Sequence, residues 1–276
     1  MKFLYRIVLL AFVLSPMALL AQNNFFTDKT ESQFAGSYDM VRPIKPDRFR
    51  AVALDVNSLK QFLANVPKEF SADAASRTSV LTLPMPYGGT ARFSVVESPM
   101  QEPGLAAKFP DIKTYSAQGI DDKAATAKLD WTGFGFHVQI LSPVSGSIYI
   151  DPYERGNVEH YMVYYKTDLK PKNNFQEVGL DGAIDASFNT AQSATGFCFS
   201  NNIRSYRIAI ACTGEYAVAV GGTTPALLHS AIVTTINRVN GVYEQEVAIR
   251  LILISNNNLI EFLNAATDPF NGNDNA

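Results

Sequence analysis

The chain has 276 residues, of which 47% are hydrophobic, and a formal net charge of -3. This size and composition allow a sizeable buried core and predict two domains rather than one. Because the sequence contains no cluster of lysine and arginine residues, it excludes nucleic acid and acidic membrane surfaces as expected partners.

The first 21 residues have the organisation of a secretory signal peptide. Lys2 and Arg6 flank the start of an apolar run over residues 7–14, and a small-residue cleavage site follows at Ala21. A membrane anchor is disfavoured because Ser15-Pro16 interrupts the run, which is short for spanning a bilayer. We therefore expect a secreted, extracellular protein that has no membrane association after signal cleavage.

Residues 22–50 mix polar and aromatic side chains with prolines and predict a poorly ordered leader. Residues 56–63 are expected to form a short helix capped by Asn57 or Ser58. Short β-type runs recur along the chain as far as Lys166, with a hairpin turn at residues 86–89, which is typical of an antiparallel sheet. The predicted strands are residues 50–55, 80–84, 91–97, 114–119, 124–130, 134–140, 146–152 and 161–165.

Residues 206–254 carry the strongest pattern in the chain. Residues 206–212 predict a buried strand that ends at the turn-like Thr213-Gly214. A helix is predicted to begin at Thr224, which caps it, and to end at Asn240-Gly241. Residues 247–254 predict a second strand. The order strand, helix, strand implies two parallel neighbouring strands joined by a right-handed crossover.

These same residues carry a family resemblance. Residues 206–216, 234–244 and 268–270 together are similar to the opening of the catalytic domain of secreted bacterial reprolysin-like zinc metallopeptidases, relatives of the adamalysins within the metzincins. That family binds zinc through H-E-x-x-H-x-x-G-x-x-H, which does not occur here. The resemblance therefore implies a truncated precursor whose zinc ligands and general base lie downstream of Ala276.

The resemblance also implies an organisation and a function. It implies an α+β propeptide domain rich in antiparallel strands (residues 22–169), a linker (170–203), and the N-terminal α/β part of a metzincin-like catalytic domain (204–276). The expected function is that of a secreted zinc metalloendopeptidase zymogen, in which zinc-activated water cleaves protein or peptide substrates. The propeptide would bind its own catalytic domain, and this segment would be inactive. The alternative is a non-enzymatic extracellular β-rich binding or adhesion module.

The chain has two cysteines, Cys198 and Cys212. A disulfide between them would close a small loop and contribute about 3 kcal/mol. The resemblance offers another role, in which Cys198, within Gly196-Phe197-Cys198-Phe199, is the zinc ligand of a propeptide cysteine switch. Phe199 departs from the Gly that many relatives carry at that position. The third alternative is that Cys198 is unpaired, or that it forms a disulfide with a cysteine beyond Ala276. Cys212 is predicted to be a small buried residue within its strand.

Other polar residues are weaker candidates for chemistry. The three histidines lack ligand spacing: His137 is expected in a strand, His160 in a polar loop where Glu159 offers a weak metal site, and His229 on a helix face. A turn is predicted at Asp121-Asp122 and a strand end at Asp151-Pro152, near Glu154, rather than paired catalytic carboxylates. Residues 256–258 and 271–274 carry side-chain oxygens of the kind that bind calcium, but their spacing favours ordinary loops.

Overall fold

The computed structural model describes residues 23–34, 41–170 and 202–270. Nine strands within these ranges form one sheet: β1 (Phe26–Asp28), β2 (Arg50–Leu54), β3 (Ser79–Pro84), β4 (Thr90–Glu97), β5 (Lys113–Gly119), β6 (Thr126–Thr132), β7 (Gly135–Ser142), β8 (Gly146–Pro152) and β9 (His160–Tyr165). Their order is β1-β2-β9-β8-β7-β6-β5-β4-β3, and all neighbours are antiparallel. We call residues 23–170 the sheet unit.

The predicted strands of the sheet unit are confirmed, and so is the hairpin. In that hairpin, Pro84 of β3 pairs with Thr90 of β4. Gly88 and Gly89 in the turn have positive φ angles of 104° and 72°, a conformation that glycine adopts without steric cost. Alternating side chains and a turn of this kind are local signals, which is why the sequence predicts them well.

The prediction of a poorly ordered leader is wrong for the described residues 23–34. The leader contributes β1, in which Phe26 pairs with Leu54. Phe26 and Phe34 are both buried, because each packs against aromatic rings of the sheet. Aromatic burial therefore orders a segment whose polar residues and prolines predicted the opposite.

One face of the sheet carries the main apolar core, which is closed by helix α1 (Val56–Ala64). Leu59 and Leu63 of α1 are buried in that core. The predicted cap of this helix is wrong: Asp55 is the cap, and its carboxylate accepts a hydrogen bond from the backbone N–H of Ser58. Two shorter helices that were not predicted are α2 (Ala72–Ser76) and α3 (Pro103–Ala106).

Residues 202–270, which we call the C-terminal unit, contain the predicted strand, helix and strand. The described elements are β10 (Arg204–Ile208), α4 (Gly214–Val220), α5 (Pro225–Glu246) and β11 (Ile249–Leu253). As predicted, β10 and β11 are parallel neighbours. However, β10 ends at Ile208 and is largely exposed, so the prediction of a buried strand over residues 206–212 is wrong. The expected turn at Thr213-Gly214 is instead the capped start of α4.

The start of α5 is confirmed, and its predicted end is wrong. Thr224 caps the helix by accepting a hydrogen bond from the N–H of Leu227. The helix runs through Asn240 and Gly241 to Glu246. The Asn240 side chain accepts a hydrogen bond from the N–H of Leu251 and donates one to its carbonyl. The Asn240 side chain, which was predicted to help end the helix, thus makes a tertiary contact with β11.

The two units share a second apolar core. Met100 and Leu105 of the sheet unit pack there with Leu228 and Ile232 of α5 and with Leu253 of β11. This packing fixes α5 against the sheet unit, although residues 171–201, which make up most of the predicted linker (170–203), lie outside the described residues. The domain boundaries therefore stay predictions.

Candidate functional site: a buried polar interface

The face of the sheet opposite the main core is polar where β6, β7 and β8 meet. On β6, Leu129 points into the apolar core, and its neighbours Lys128 and Asp130 point to the other face. That face also carries His137 of β7 and Asp151 of β8. All four polar residues are buried, because α5 lies across them. We call this surface the polar sheet face.

Helix α5 turns a stripe of polar and small residues toward the polar sheet face. Its members recur at intervals of three or four residues, so they lie on one side of the helix. The stripe consists of Ser230, Thr234, Asn237, Arg238, Gly241 and Glu244. The helix therefore buries two faces, since Leu228, Ile232 and Ile236 fill the second apolar core.

Asp130 is the centre of the first polar contact. Its carboxylate accepts hydrogen bonds from the Thr234 hydroxyl at 2.8 Å and from the Asn237 amide at 3.3 Å. On the sheet side, Nδ1 of His137 lies 3.0 Å from the same carboxylate. Asn237 also donates a hydrogen bond of 3.0 Å to the carbonyl of Leu129. The sheet therefore holds this part of α5 through side chain and backbone together.

Asp151 is the centre of the second contact. Its carboxylate forms an ion pair with Arg238 of α5 and accepts a 2.6 Å hydrogen bond from the Tyr164 hydroxyl. Burial is the largest single effect and would lower the pKa of Arg238, but Asp151, Tyr164 and Asp130 together outweigh it, so the pKa is raised. Burial and Asp151 both raise the pKa of Tyr164. Arg238 therefore stays charged in this contact, and Tyr164 stays neutral.

Lys128 and Glu244 make the third contact, which extends into a network. The Lys128 ammonium lies 2.7 Å from the Glu244 carboxylate. Glu244 also binds Arg250 of β11 at 2.6 Å, and Arg250 in turn binds Glu69 of the sheet unit at 2.7 Å. Burial lowers the pKa of Lys128, and the nearby Glu244 opposes that effect. Two cations and two anions thus alternate across the boundary between the units.

Two glycines let the helix and the sheet approach closely. A Cβ atom at Gly241 of α5 would collide with Oε1 of Gln139 and would lie 3.2 Å from Cγ of Lys128. A Cβ atom at Gly133, between β6 and β7, would lie 2.9 Å from the Leu227 side chain. Gly133 also donates its backbone N–H to the Ser230 hydroxyl. A Cβ atom at either position would therefore require the facing Gln139 or Leu227 side chain to move.

The comparisons with known proteins concern the unit that contains this helix. Residues 202–276 match the model of the Metallo-peptidase family M12B, described as reprolysin-like. We call residues 202–276 the reprolysin-like segment because of this similarity. The match covers the C-terminal unit and none of the sheet unit. No curated protein and no solved structure matches the chain.

The reprolysin-like segment is tied to the sheet unit a fourth time through His229, which lies on α5 as predicted but is fully buried. Its Nδ1 is 2.8 Å from the Glu261 carboxylate and its Nε2 is 2.8 Å from Oε1 of Gln101. Both ring nitrogens therefore lie within hydrogen-bonding distance of side-chain oxygens, one in each unit. The ring also stacks on Phe109 of the sheet unit, with centroids 4.2 Å apart.

The described residues do not fit the zinc that the reprolysin-like family implies. Within residues 23–34, 41–170 and 202–270, no group of three His, Cys, Asp or Glu side chains is arranged to hold a metal. His137 and His229 are engaged with carboxylates. His160 is the first residue of β9 and stacks on Phe34, so the prediction that it lies in a solvated polar loop is wrong.

Of the two cysteines, only Cys212 lies among the described residues. Cys212 is buried, as predicted, but it follows β10 instead of lying within a strand. Its backbone N–H donates to the carbonyl of Ile260, and burial raises the pKa of its thiol. Cys212 has no disulfide partner among the described residues. Cys198 lies outside them, so the switch and the disulfide stay predictions.

The acidic and asparagine-rich candidates have structural partners. Asp121 binds Arg92, and Asp122 accepts a hydrogen bond from Ser142, in the predicted turn. Asp151 is the second-last residue of β8, at the predicted strand end, and it forms the ion pair with Arg238 in the interface. Asn257 is buried and binds the backbone of Ile210. Nothing in the described residues supports a calcium site, and residues 271–274 lie outside them.

A cavity of about 260 Å³ opens beside the interface. The sheet unit contributes Ile44, His137 and Asp151 to its wall, and the reprolysin-like segment contributes Val220 and Arg238. Because both units line it, this cavity exists only while they are docked.

Within the described ranges, no single helix has the length and hydropathy needed to cross a membrane. Only α4 and α5 taken together reach that length and composition, and they are bent by 81° with respect to each other.

Proposed function

We propose that the chain is the precursor portion of a secreted zinc metalloendopeptidase. Residues 1–21 would direct export, the sheet unit would be the propeptide, and the reprolysin-like segment would begin the catalytic domain. The observation that carries this proposal is that residues 202–276 match the reprolysin-like family while their long helix is docked on a separate antiparallel sheet unit. Substrates would be proteins or peptides in the extracellular space.

The interface supports a folding role for the sheet unit. The α5 stripe contains Arg238 and Glu244, whose charges are met at the boundary by Asp151 and Lys128. Asn237 and Thr234 likewise find their hydrogen-bond partners in the sheet unit. Without the sheet, this side of the helix has no apolar surface to bury, so the sheet unit supplies the packing that orders the segment.

The same interface supports latency. Helix α5 is held on two sides, by the polar sheet face and by the second apolar core that contains Met100 and Leu105. The described histidines are committed to Asp130, Asn157 and Glu261. We therefore place the zinc ligands and the general base outside these 276 residues, and we assign no hydrolytic step to the described side chains.

The first test is enzymatic. The purified chain with added zinc is expected to show no chelator-sensitive hydrolysis of casein. Appreciable activity of that kind would contradict the assignment of the catalytic groups to residues beyond Ala276.

The second test is genetic. The coding region beyond Ala276 is expected to encode H-E-x-x-H-x-x-G-x-x-H. A reading frame that stops at Ala276, or continues without three histidines in that arrangement, would overturn the peptidase proposal. It would favour the alternative of a non-enzymatic extracellular binding module.

Cys198 provides a test of how latency is enforced. If its thiolate occupies the zinc position in the longer precursor, Cys198→Ala should raise activity before processing, measured against the unprocessed wild type. Unchanged latency would rule out the cysteine switch. The contacts between the sheet unit and α5 would then remain as the source of inhibition.

A further inference from the structure

We propose that the polar sheet face is a recognition surface that reads the direction and register of α5, and that it keeps the two units together after the chain is cut between residues 170 and 202. The proposal rests on the proposed function only where it treats such a cut as an activation step. The association itself follows from contacts among the described residues.

Along the axis of α5, the charges of the helix stripe and the facing charges of the polar sheet face follow one another in opposite order. The sheet offers the anion Asp151 to the cation Arg238 and the cation Lys128 to the anion Glu244. A helix laid in the reverse direction would bring Glu244 toward Asp151 and Arg238 toward Lys128. Like charges would then meet in a buried site, which costs several kcal/mol. The charge order therefore selects one helix direction.

Register is fixed by shape as well as by charge. From Thr234 to Glu244 the stripe covers about 15 Å of helix at 1.5 Å per residue. Gly241 lies within that length, where a Cβ atom would collide with Gln139. A shift of the helix by one turn would place Asn237 or Gln245 at that contact and would separate both ion pairs. The surface therefore accepts α5 in one register.

Contacts remote from the stripe make the association independent of the covalent link. His229 binds Gln101 and stacks on Phe109, which both belong to the sheet unit. Arg207 of β10 forms an ion pair with Glu102. Together with the shared apolar core, these contacts are spread over the C-terminal unit. Loss of the connection through residues 171–201 removes none of them.

The experiment uses the full chain with a recognition sequence for a sequence-specific protease inserted between residues 185 and 186. After complete cleavage, the two fragments are passed over a gel-filtration column at micromolar concentration and neutral pH. We expect both fragments in one peak at the elution volume of the uncut chain. Two separate peaks would overturn the proposal.

A matched pair of substitutions tests whether the stripe carries the recognition. Gly241→Leu places a leucine side chain against Gln139, while Val242→Leu places the same side chain at the next, exposed position. Overpacking of about 1–3 kcal/mol corresponds to a dissociation constant raised by about 5-fold to 150-fold. We expect that rise for Gly241→Leu and less than about 2-fold for Val242→Leu. Equal effects of the two substitutions would overturn the assignment of register to the stripe.

If uncut Gly241→Leu fails to fold, as judged by circular dichroism, Glu244→Gln takes its place and the exposed Glu246→Gln becomes its control. Fragments that carry Glu244→Gln are expected to separate at concentrations where Glu246→Gln fragments stay together. The same dissociation constant for both would overturn the proposal.

Peptidase activity is not a readout in these experiments, so their outcome is separable from the proposed function. A longer protein that proves inactive leaves the measured association intact. A longer protein that is an active peptidase but whose fragments separate on cutting overturns the recognition proposal alone.

Discussion

Glu244→Gln offers the sharpest test of the buried ion network. The substitution keeps the length and shape of the side chain but removes its charge. In the wild type, the carboxylate lies 2.7 Å from Lys128 and 2.6 Å from Arg250. Both cations are about nine-tenths buried, at 8% and 9% exposure. Without Glu244, Lys128 has no remaining carboxylate contact among the described residues, and Arg250 retains Glu69.

The expected cost follows from leaving a buried charge without its partner. Removal of one member of a buried ion pair destabilises a protein by about 3–5 kcal/mol, because the remaining ion keeps its desolvation penalty. Double replacement of Lys128 and Glu244 by methionine removes both charges and should recover much of that loss. The contrast between the single and double variants separates the electrostatic cost from a simple packing defect.

Urea unfolding at neutral pH, followed by circular dichroism, measures this effect. With a slope of about 3 kcal/mol per molar urea, the midpoint for Glu244→Gln should fall by about 1 M or more. Glu246→Gln is the matched control, since Glu246 lies on the same helix and is exposed, and its midpoint should not move appreciably. Equal midpoints for the two variants would refute the view that the network stabilises the docked state.

Three further predictions concern other contacts that the C-terminal unit makes. The hydrogen bond from Arg207 is the main reason why the pKa of the Glu102 carboxyl falls from 4.5 to about 2. The Glu102 carboxylate therefore contributes stability that is fully present above pH 4.5 and is lost as the pH falls through about 2. Glu102→Gln should flatten the melting temperature over that pH range, and an unchanged acid profile would contradict the contribution of this pair. Leu228→Ala, at a fully buried position, should cost about 2–5 kcal/mol in urea unfolding, and a loss below about 1 kcal/mol would show that the second core is not tightly packed. Thr224→Ala should cost about 1 kcal/mol through the lost cap, whereas Thr223→Ala, outside the helix, should cost little; equal losses would contradict the capping role.

Local signals explain why much of the fold was predictable. Alternating apolar residues on β6 and β7 follow the two-residue period of a strand, and the structure places those residues in the main core. The start of α5 was likewise predictable, because Thr224 and Pro225 form a capped helix start within a few residues of chain. Each of these features depends on neighbours in sequence.

The errors occurred where a distant contact overrides a local preference. Asn240 and Gly241 have a low preference for helix interiors, yet Asn240 binds β11 and Gly241 fits against Gln139. The prolines and polar residues of the leader predicted disorder, but burial of Phe26 and Phe34 orders its described part. His229 was placed correctly on a helix face, and its partners Gln101 and Glu261 lie far away in sequence.

The sequence alone determined the antiparallel strands, the parallel strand-helix-strand unit and the reprolysin-like character of the last segment, since each of these is encoded in short-range patterns. Only the tertiary structure decided that the polar stripe of α5 is an interface. A helix face carrying Asn237, Arg238 and Glu244 has the pattern of a solvated surface, and Lys128 with Asp130 on alternate positions of β6 has the same pattern. Two such surfaces become buried only when their charges and hydrogen bonds match each other in space, and that match is a property of the folded chain.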